Sequence, residues 1–505
     1  MRVRVPPSAP RQESMAWNPE FEVAFHPKTV AIVGVSRQAH FFDFVAHLQN
    51  AGYAGRIYPI NPRAAGEEHR GWKFYPDLVS VPEPIDLVIV STPRETVPAV
   101  LEDCVAANAK NVHIFAAGFR EVGDARGVEL ERKLVDIAKR GGLRILGPNC
   151  MGLHVPASRI TTWEEMDPHS GPVAFVSQSG GHAGQLVRDG PYFGIRFSKV
   201  ISFGNAAVMD STDFLEYLAA DPETKLICMY LEGVRDGNRF ASLVKEINRE
   251  KPVIVWKGGL TESGSRAVAS HTGSLGGEKE VWDAFFRQTG AVAVSSLEEV
   301  LDVTMAFLYL RPPLSRGAAL IGAGGGNSVA GADTCSLNGL DLPTLTEATL
   351  KELGSFIPPE GTIIRNPLDI GVVLMDIRML LRSLDPIAND PMIDSIIFAL
   401  PLGMVPKSVV NGQAQDARLG RMGVAWEAIR RGVLDTLTGF HRDNAYGKPI
   451  VVVLQEPAGG VSPELREGVH DELLRAGIPA YSSLERASRA MAKLIQYHEF
   501  HRSRR

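Results

Sequence analysis

Cysteine is scarce in this chain: four among 505 residues (Cys104, Cys150, Cys228, Cys335), none in a CxxC spacing. That excludes a disulfide framework and a cysteine-based zinc site, predicts no bound metal, and fits a reducing, cytoplasmic setting. Long apolar runs are missing too. No uncharged apolar run reaches the ~18 residues that a membrane-spanning helix needs. One long uncharged stretch, Gly317–Ala332, is glycine-rich and reads as a strand and a loop. There is no basic block: Lys+Arg 53 against Asp+Glu 58 gives a net charge of −5, so neither nucleic acid nor a membrane is expected as a partner. Two nucleotide signatures are absent. There is no GxxxxGK[ST], and Gly34 is followed by Val35, Ser36, Arg37, Gln38 and Ala39, not by GxGxxG spacing. The opening MRVRVPPSAPRQES is basic but lacks an apolar core, so it is no secretory signal. A disordered tail is expected over 1–21, with Met15 an alternative start.

What is present is a threefold pattern. An apolar strand runs into a Gly/Ser-rich turn in TVAIVGVS (29–36), PVAFVSQSGG (172–181) and AALIGAGGG (318–326). The markers Gly34, Ser177 and Gly322 stand 143 and 145 residues apart, each one domain's length. Near-continuous Val/Ile/Leu runs are what strands buried on both faces of a parallel sheet require. Further strands are predicted at 56–60, 85–91, 111–115 and 143–146, at 196–202, 225–231 and 252–257, and at 394–400 and 449–454. Helices fall between them; Leu130, Leu134, Ile137 and Ala138 share one face. Ser296 with Glu299 makes a capping-box start, and Ser462-Pro463 opens a helix that Gly477 ends. Alternation throughout argues for three doubly wound α/β units, with linkers at 156–171 and 311–316.

The first turn puts backbone N–H groups and a helix start where a phosphate could sit, although a lone glycine is a weak signal. A dinucleotide fold would carry an acid at the end of the next strand. RIYPINPR offers Asn61 and Arg63 instead, which suits a phosphorylated ligand and argues against an NAD(P) dehydrogenase. A purely structural turn is the other reading at this point.

FHPKTVAIVGVS, RIYPINP, IDLVIVSTP, IFAAGFREVG and ILGPNCMG resemble the CoA-binding domain of the NDP-forming acyl-CoA synthetases, the family of ADP-forming acetyl-CoA synthetase and the succinyl-CoA synthetase alpha subunit. The resemblance continues through VAFVSQSG, YLEG, ASHTGSLGG, GAGGGNSVAGAD and NPLDIG, from about residue 22 to 500. It implies a Rossmann-like CoA-binding domain over 22–155. Two flavodoxin-like domains of succinyl-CoA-synthetase type would follow, at 165–310 and 314–500. It implies Gly34, Val35 and Ser36 near the CoA phosphates, Arg63 near the nucleotide end, Pro93 and Gly118 against the pantetheine, and Asn149 beside the reacting thioester. One stretch departs from the family pattern. RQAHFFDF (37–44) is bulky and glycine-free, so Phe41, Phe42 and Phe44 either pack as core or crowd the CoA site.

His271 stands in ASHTGS, whose small neighbours suit a phosphoryl adduct. Neutral imidazole is nucleophilic near pH 7 and needs no prior loss of a tightly held proton. The resemblance implies that His271 is the phosphohistidine and that Glu232, in YLEG, orients its ring. The adduct needs counter-charge. The turn Ser177, Ser179, Gly180 opens a helix whose N-terminus can supply it, with His182 there as a structural residue. Lys257 and Glu262 are expected to be solvated. No segment reads as an ATP-grasp module. The resemblance therefore implies an alpha-subunit-like acid–CoA ligase chain, part of a hetero-oligomer. A separate ATP-grasp beta subunit would bring ATP/ADP and Mg²⁺, and CoA and a small carboxylic acid would be the other reactants. The alternative is a non-catalytic CoA-binding regulatory protein that kept the fold.

Overall fold

The computed structural model describes residues 19–504, apart from 37–41, 165, 273–277, 323–324, 361, 370–376, 403–416 and 456–462. The chain divides into two compact units, one of residues 1–191 with 195–297, the other of 192–194 with 298–505.

The first unit holds two sheets. One is all parallel, in the spatial order Arg56–Ile60, Thr29–Val33, Leu87–Val90, Asn111–Ile114, Arg144–Leu146. The other begins with five parallel strands in the order Val292–Val294, Val253–Lys257, Leu226–Leu231, Val173–Ser177, Phe197–Ser202. Counted along the chain, both parallel sets have the order 2-1-3-4-5. In such sheets the connections leave in opposite directions beside strand 1. A crevice opens there, between the carboxyl ends of strands 1 and 3. The strands are mostly apolar: Val30, Val88, Val112, Val176, Ile227 and Ile254 are all buried. Each such side chain contributes about 1.5–3 kcal/mol relative to exposure.

The second unit has a parallel sheet of the same order, Leu368–Asp369, Ala318–Gly322, Ser395–Pro401, Ile450–Gln455, Ala480–Tyr481. There the half-buried Arg486 donates to both carboxylate oxygens of the buried Asp302 at 2.7 Å. The helix opened by Pro463 runs to Arg475, and Gly477 follows with φ +82°.

Two expectations are corrected. The segment 156–171 is not a plain linker. Gly152–Val155 and Ile160–Thr161 pair antiparallel and extend the second sheet beyond Phe197–Ser202. Strands of four and two residues are too short to show a period. Residues 19–21, assigned to the tail, open the helix Pro19–Phe25. Phe21 is buried there, and Phe25 stacks on Tyr217 at 4.5 Å.

Candidate active site

The first sheet's crevice lies between Gly34 and Ser91. Gly34 has φ +97°, and a Cβ there would stand 2.4 Å from the Ser91 carbonyl oxygen, so glycine alone allows this approach. Gly34, Val35, Ser36, Phe42, Asp43 and Ser91 line a cavity of about 310 Å³. Asn61 ties the next strand to this turn: its Nδ2 donates to the Val35 carbonyl at 2.9 Å, and its Oδ1 accepts from the Arg63 N–H at 3.0 Å. Arg63 and Pro93 are exposed. Gly118 has φ +104°, and its carbonyl accepts from the Arg94 guanidinium.

The helix start behind this turn is already occupied. Asp43 caps Phe44–Asn50, accepting from the Ala46 N–H at 3.1 Å, and pairs with Arg70 at 2.8 Å. Ligand phosphates at this end would therefore rely on turn N–H groups and basic side chains. Phe44 is core and Phe42 lines the cavity; Phe41 lies outside the described residues.

The second crevice lies between Val173–Ser177 and Leu226–Leu231. Ser177 is fully buried. Its hydroxyl donates to the Ser179 carbonyl at 2.7 Å and accepts from the Ser179 N–H at 3.1 Å, so it shapes the turn. Ser179 caps the helix Gly180–Asp189, accepting from the His182 N–H at 3.2 Å. Gln178 bridges to the facing strand end, where its Oε1 accepts from the N–H groups of Glu232 and Gly233. Ser179, Gly180 and Asn149 line one cavity of about 320 Å³, together with Phe115, Met151 and Asn205. Asn149 is held at φ +57°, and its N–H donates to the Ala116 carbonyl at 2.9 Å.

Glu232 is 5% exposed, and Tyr230 donates its hydroxyl to Oε1 at 3.3 Å. The His182 ring lies 4.6 Å from Tyr230 and 4.5 Å from Trp256, an aromatic nest that fits a structural role. Burial lowers its pKa while the Glu232 charge opposes that shift.

Lys257 is not solvated as expected. It is 4% exposed, donates to the Gly258 carbonyl, and sits 5.4 Å from the centre of the Trp282 ring. Burial pushes its pKa down to about 8, with the Glu232 carboxylate pulling the other way. Glu262 is exposed as expected. His271 falls in the last turn of the helix Glu262–Thr272, which packs beside the 3₁₀ turn Arg120–Val122 just past Gly118. The His271 side chain, and residues 273–277 after it, lie outside the described residues.

Sequence reasoning passed over Gln178 and Asn205. Asn205 Nδ2 donates to Glu121 at 2.6 Å and Glu131 at 2.9 Å, contacts that only the fold assembles. Among the described residues there is no cluster of His, Cys, Asp or Glu able to hold a metal, and no helix long and apolar enough to cross a membrane.

Two crevices of this kind, joined by a shared core, are the frame of a CoA-ligase-type α/β protein, and comparison with known proteins agrees. Residues 28–156 match the family model of a CoA binding domain, and residues 170–307 that of the succinyl-CoA ligase like flavodoxin domain. The alpha subunit of ADP-forming acetate–CoA ligase II of Pyrococcus furiosus is 34% identical over 94% of this chain and 96% of its own length. An ADP-forming acetate–CoA ligase of Archaeoglobus fulgidus is 36% identical over 75% of this chain, which spans only 54% of that longer relative. The dinucleotide-forming acetyl-coenzyme A synthetase 1 of Ca. Korarchaeum cryptofilum, solved with phosphate and ADP, superposes with a TM-score of 0.79. It is 31% identical and covers 95% of this chain and 97% of its own. The chain belongs to the ADP-forming acyl-CoA synthetase family. Within that family it aligns over 94% of its length with an alpha subunit and spans about half of a longer relative.

Proposed function

We propose that this chain is the alpha-subunit-like component of an NDP-forming acid–thiol ligase, relaying a phosphoryl group through His271. The observation that carries this reading is the meeting of Glu232 with the Gln178–Gly180 turn at the second crevice. Gln178 thereby ties the strand end that carries a buried carboxylate to the turn that opens a helix, and an imidazole and a phosphoryl dianion call for those two elements.

CoA would lie in the first crevice, with Gly34, Val35 and Ser36 at its phosphates, Arg63 at its nucleotide end, and Pro93 and Gly118 along the pantetheine. The fit rests on the Gly34 cradle, which a Cβ would fill. The thioester would reach Asn149, on the cavity that Ser179 and Gly180 also line. Phosphate attacks the acyl carbon, the C–S bond breaks, and CoA leaves as the thiol, giving acyl phosphate. A ring nitrogen of His271 then attacks phosphorus, the P–O bond to the acyl group breaks, and the free carboxylate departs. Glu232 holds the other ring nitrogen and balances the imidazolium. The first-turn N–H groups of Gly180–Asp189 face the phosphoryl oxygens. ADP would take the phosphoryl group on a separate ATP-grasp beta chain, which would also carry Mg²⁺.

The test uses the full chain with ³²P-acetyl phosphate. An acid-labile, base-stable label is expected. His271→Ala should abolish it, and Glu232→Gln should slow it by ~10²–10⁴-fold, as for loss of a positioned acid/base partner. Without a beta chain, no ATP-dependent acyl-CoA should form. A label that survives His271→Ala overturns the reading, and CoA binding with no label at all points to the non-catalytic alternative.

A further inference from the structure

A side-chain amide carries an acceptor oxygen on one branch and two N–H donors on the other, so fixing its oxygen fixes where its donors lie. Gln178 is fixed in this way. Its backbone N–H donates to the Tyr230 carbonyl at 3.1 Å. Its Oε1 accepts from the N–H groups of Glu232 and Gly233, the second at 3.0 Å. Turning the amide over would set its donors against those two N–H groups, so one orientation holds. The nitrogen is then the polar atom that this side chain has left for the cavity of about 320 Å³ it lines. Among the described residues, Gln178 Nε2 has no hydrogen-bond partner.

The other polar side chains on that cavity are engaged. Asn205 Nδ2 serves Glu121 at 2.6 Å and Glu131 at 2.9 Å, and Asn149 Nδ2 stands 3.3 Å from Asn205 Oδ1. Ser179 is the helix cap, and the Cys150 thiol faces the Ile114 carbonyl. The N–H groups of the helix Gly180–Asp189 serve the phosphoryl oxygens, which leaves the acyl carbonyl without a donor. It needs one. When a phosphate oxygen adds to the acyl carbon, the C=O pair moves onto the carbonyl oxygen, and a donor already aimed there lowers the barrier. When the pair returns, the C–S bond breaks, and CoA leaves as the thiol with the proton that the phosphate gives up.

We propose that Gln178 is a catalytic residue of this acyl transfer: its Nε2 donates to the thioester carbonyl oxygen and stabilises the charge that develops on it. This rests on the reading of the crevice as the place where the acyl group passes from CoA to phosphate. Backbone groups hold the amide before any ligand arrives, so no rearrangement is needed during the reaction.

Two variants of the full chain separate the donor from the tie. Gln178→Glu keeps an oxygen on the Glu232 and Gly233 N–H groups and loses the donor, whereas Gln178→Met loses both. The first measurement needs no turnover. With acetyl-CoA carrying ¹³C at its carbonyl bound to the chain, isotope-edited infrared spectroscopy reads the C=O stretch. The band should lie lower on the unaltered chain than on either variant, and the same band on all three overturns the proposal. The second follows thiol release from acetyl-CoA and phosphate, with the thiol trapped. Both variants should lose about 10²–10³-fold in kcat, as for removal of one oxyanion donor. The KM for acetyl-CoA should change little, since the contact strengthens as charge develops. Gln178→Glu at the unaltered kcat, with Gln178→Met slowed, makes Gln178 a tie alone and overturns the proposal. A chain whose band shows the Gln178 contact, yet which never takes a label from ³²P-acetyl phosphate, overturns the phosphohistidine reading and leaves the donor intact. A chain that labels on His271 while its band ignores Gln178 overturns the donor alone.

Discussion

Asn149 and Asn205 meet amide to amide, the Asn149 Nδ2 standing 3.3 Å from the Asn205 Oδ1. Through this contact the GPNC turn after the first sheet is fastened to the loop after Phe197–Ser202. Gly204 makes it possible, since a Cβ there would lie 2.3 Å from the carbonyl oxygens of Pro148 and Asn149. The same Asn205 amide nitrogen serves the carboxylates of Glu121 and Glu131, and Arg120 closes the cluster at 3.2 Å from Glu131. Burial raises the Glu131 pKa, while Arg120 and the Asn205 hydrogen bond pull it down.

Asn205→Ala should therefore destabilise the fold by about 1–3 kcal/mol, the cost of leaving buried polar groups unserved. Asn205→Asp should be worse near pH 8 than at pH 5, because a third carboxylate is set against Glu131, whose pKa burial already raises. Urea midpoints at the two pH values check the order. Equal midpoints for both variants would mean the cluster is bathed in water.

At the first crevice, Gly34→Ala should weaken CoA binding in calorimetry and cost about 1–3 kcal/mol of stability, since alanine at that φ is strained. The Cβ would also meet the Ser91 carbonyl at 2.4 Å. Arg63→Ala should behave differently. Its side chain is exposed, so the fold should be indifferent, and only the preference for CoA over dephospho-CoA should disappear. An Arg63→Ala chain that keeps this preference places the nucleotide phosphate elsewhere.

Burial pushes the pKa of both His113 and His154 down to about 4; a hydrogen bond to the Cys150 carbonyl partly offsets this for His113, as Asp167 does for His154. The unfolded chain keeps ordinary imidazoles, so it binds more protons than the folded chain between about pH 4 and 6.5. Stability is then full above that window and falls as pH drops through it, by roughly 3 kcal/mol per histidine. Thermal melts from pH 7 to 4.5 should show the fall, and His113→Gln should flatten it. A flat profile for the unaltered chain would mean that both rings reach water.

Much of this was legible in the sequence. Strands such as Thr29–Val33 and Leu226–Leu231 are buried on both faces, so they read as unbroken apolar runs. Ser179 before paired glycines announced its helix start, and the motif series carried Glu232 and His271. What escaped notice depends on distant partners. Lys257 read as solvated because a strand normally exits to water at its end; the Trp282 that covers it comes from a later helix. Asn205 sits in an unremarkable SFGNAA, and its value comes from Glu121 and Glu131 in the first sheet's half. Asp43 stands ahead of the helix Phe44–Asn50, and the cap it forms takes the helix start, though not the turn before it, out of use as an anion site.

The antiparallel strands Gly152–Val155 and Ile160–Thr161 bear on how this protein can be cut or recombined. The CoA-binding family match ends at residue 156, and the next begins at 170. A gene severed between them would carry off one or both of the outermost strands of the second sheet, exposing Phe197–Ser202 along its edge. The sequence modules are thus interleaved, like joiners' boards tongued into one another. The first could be exchanged between relatives only together with the rim of the second.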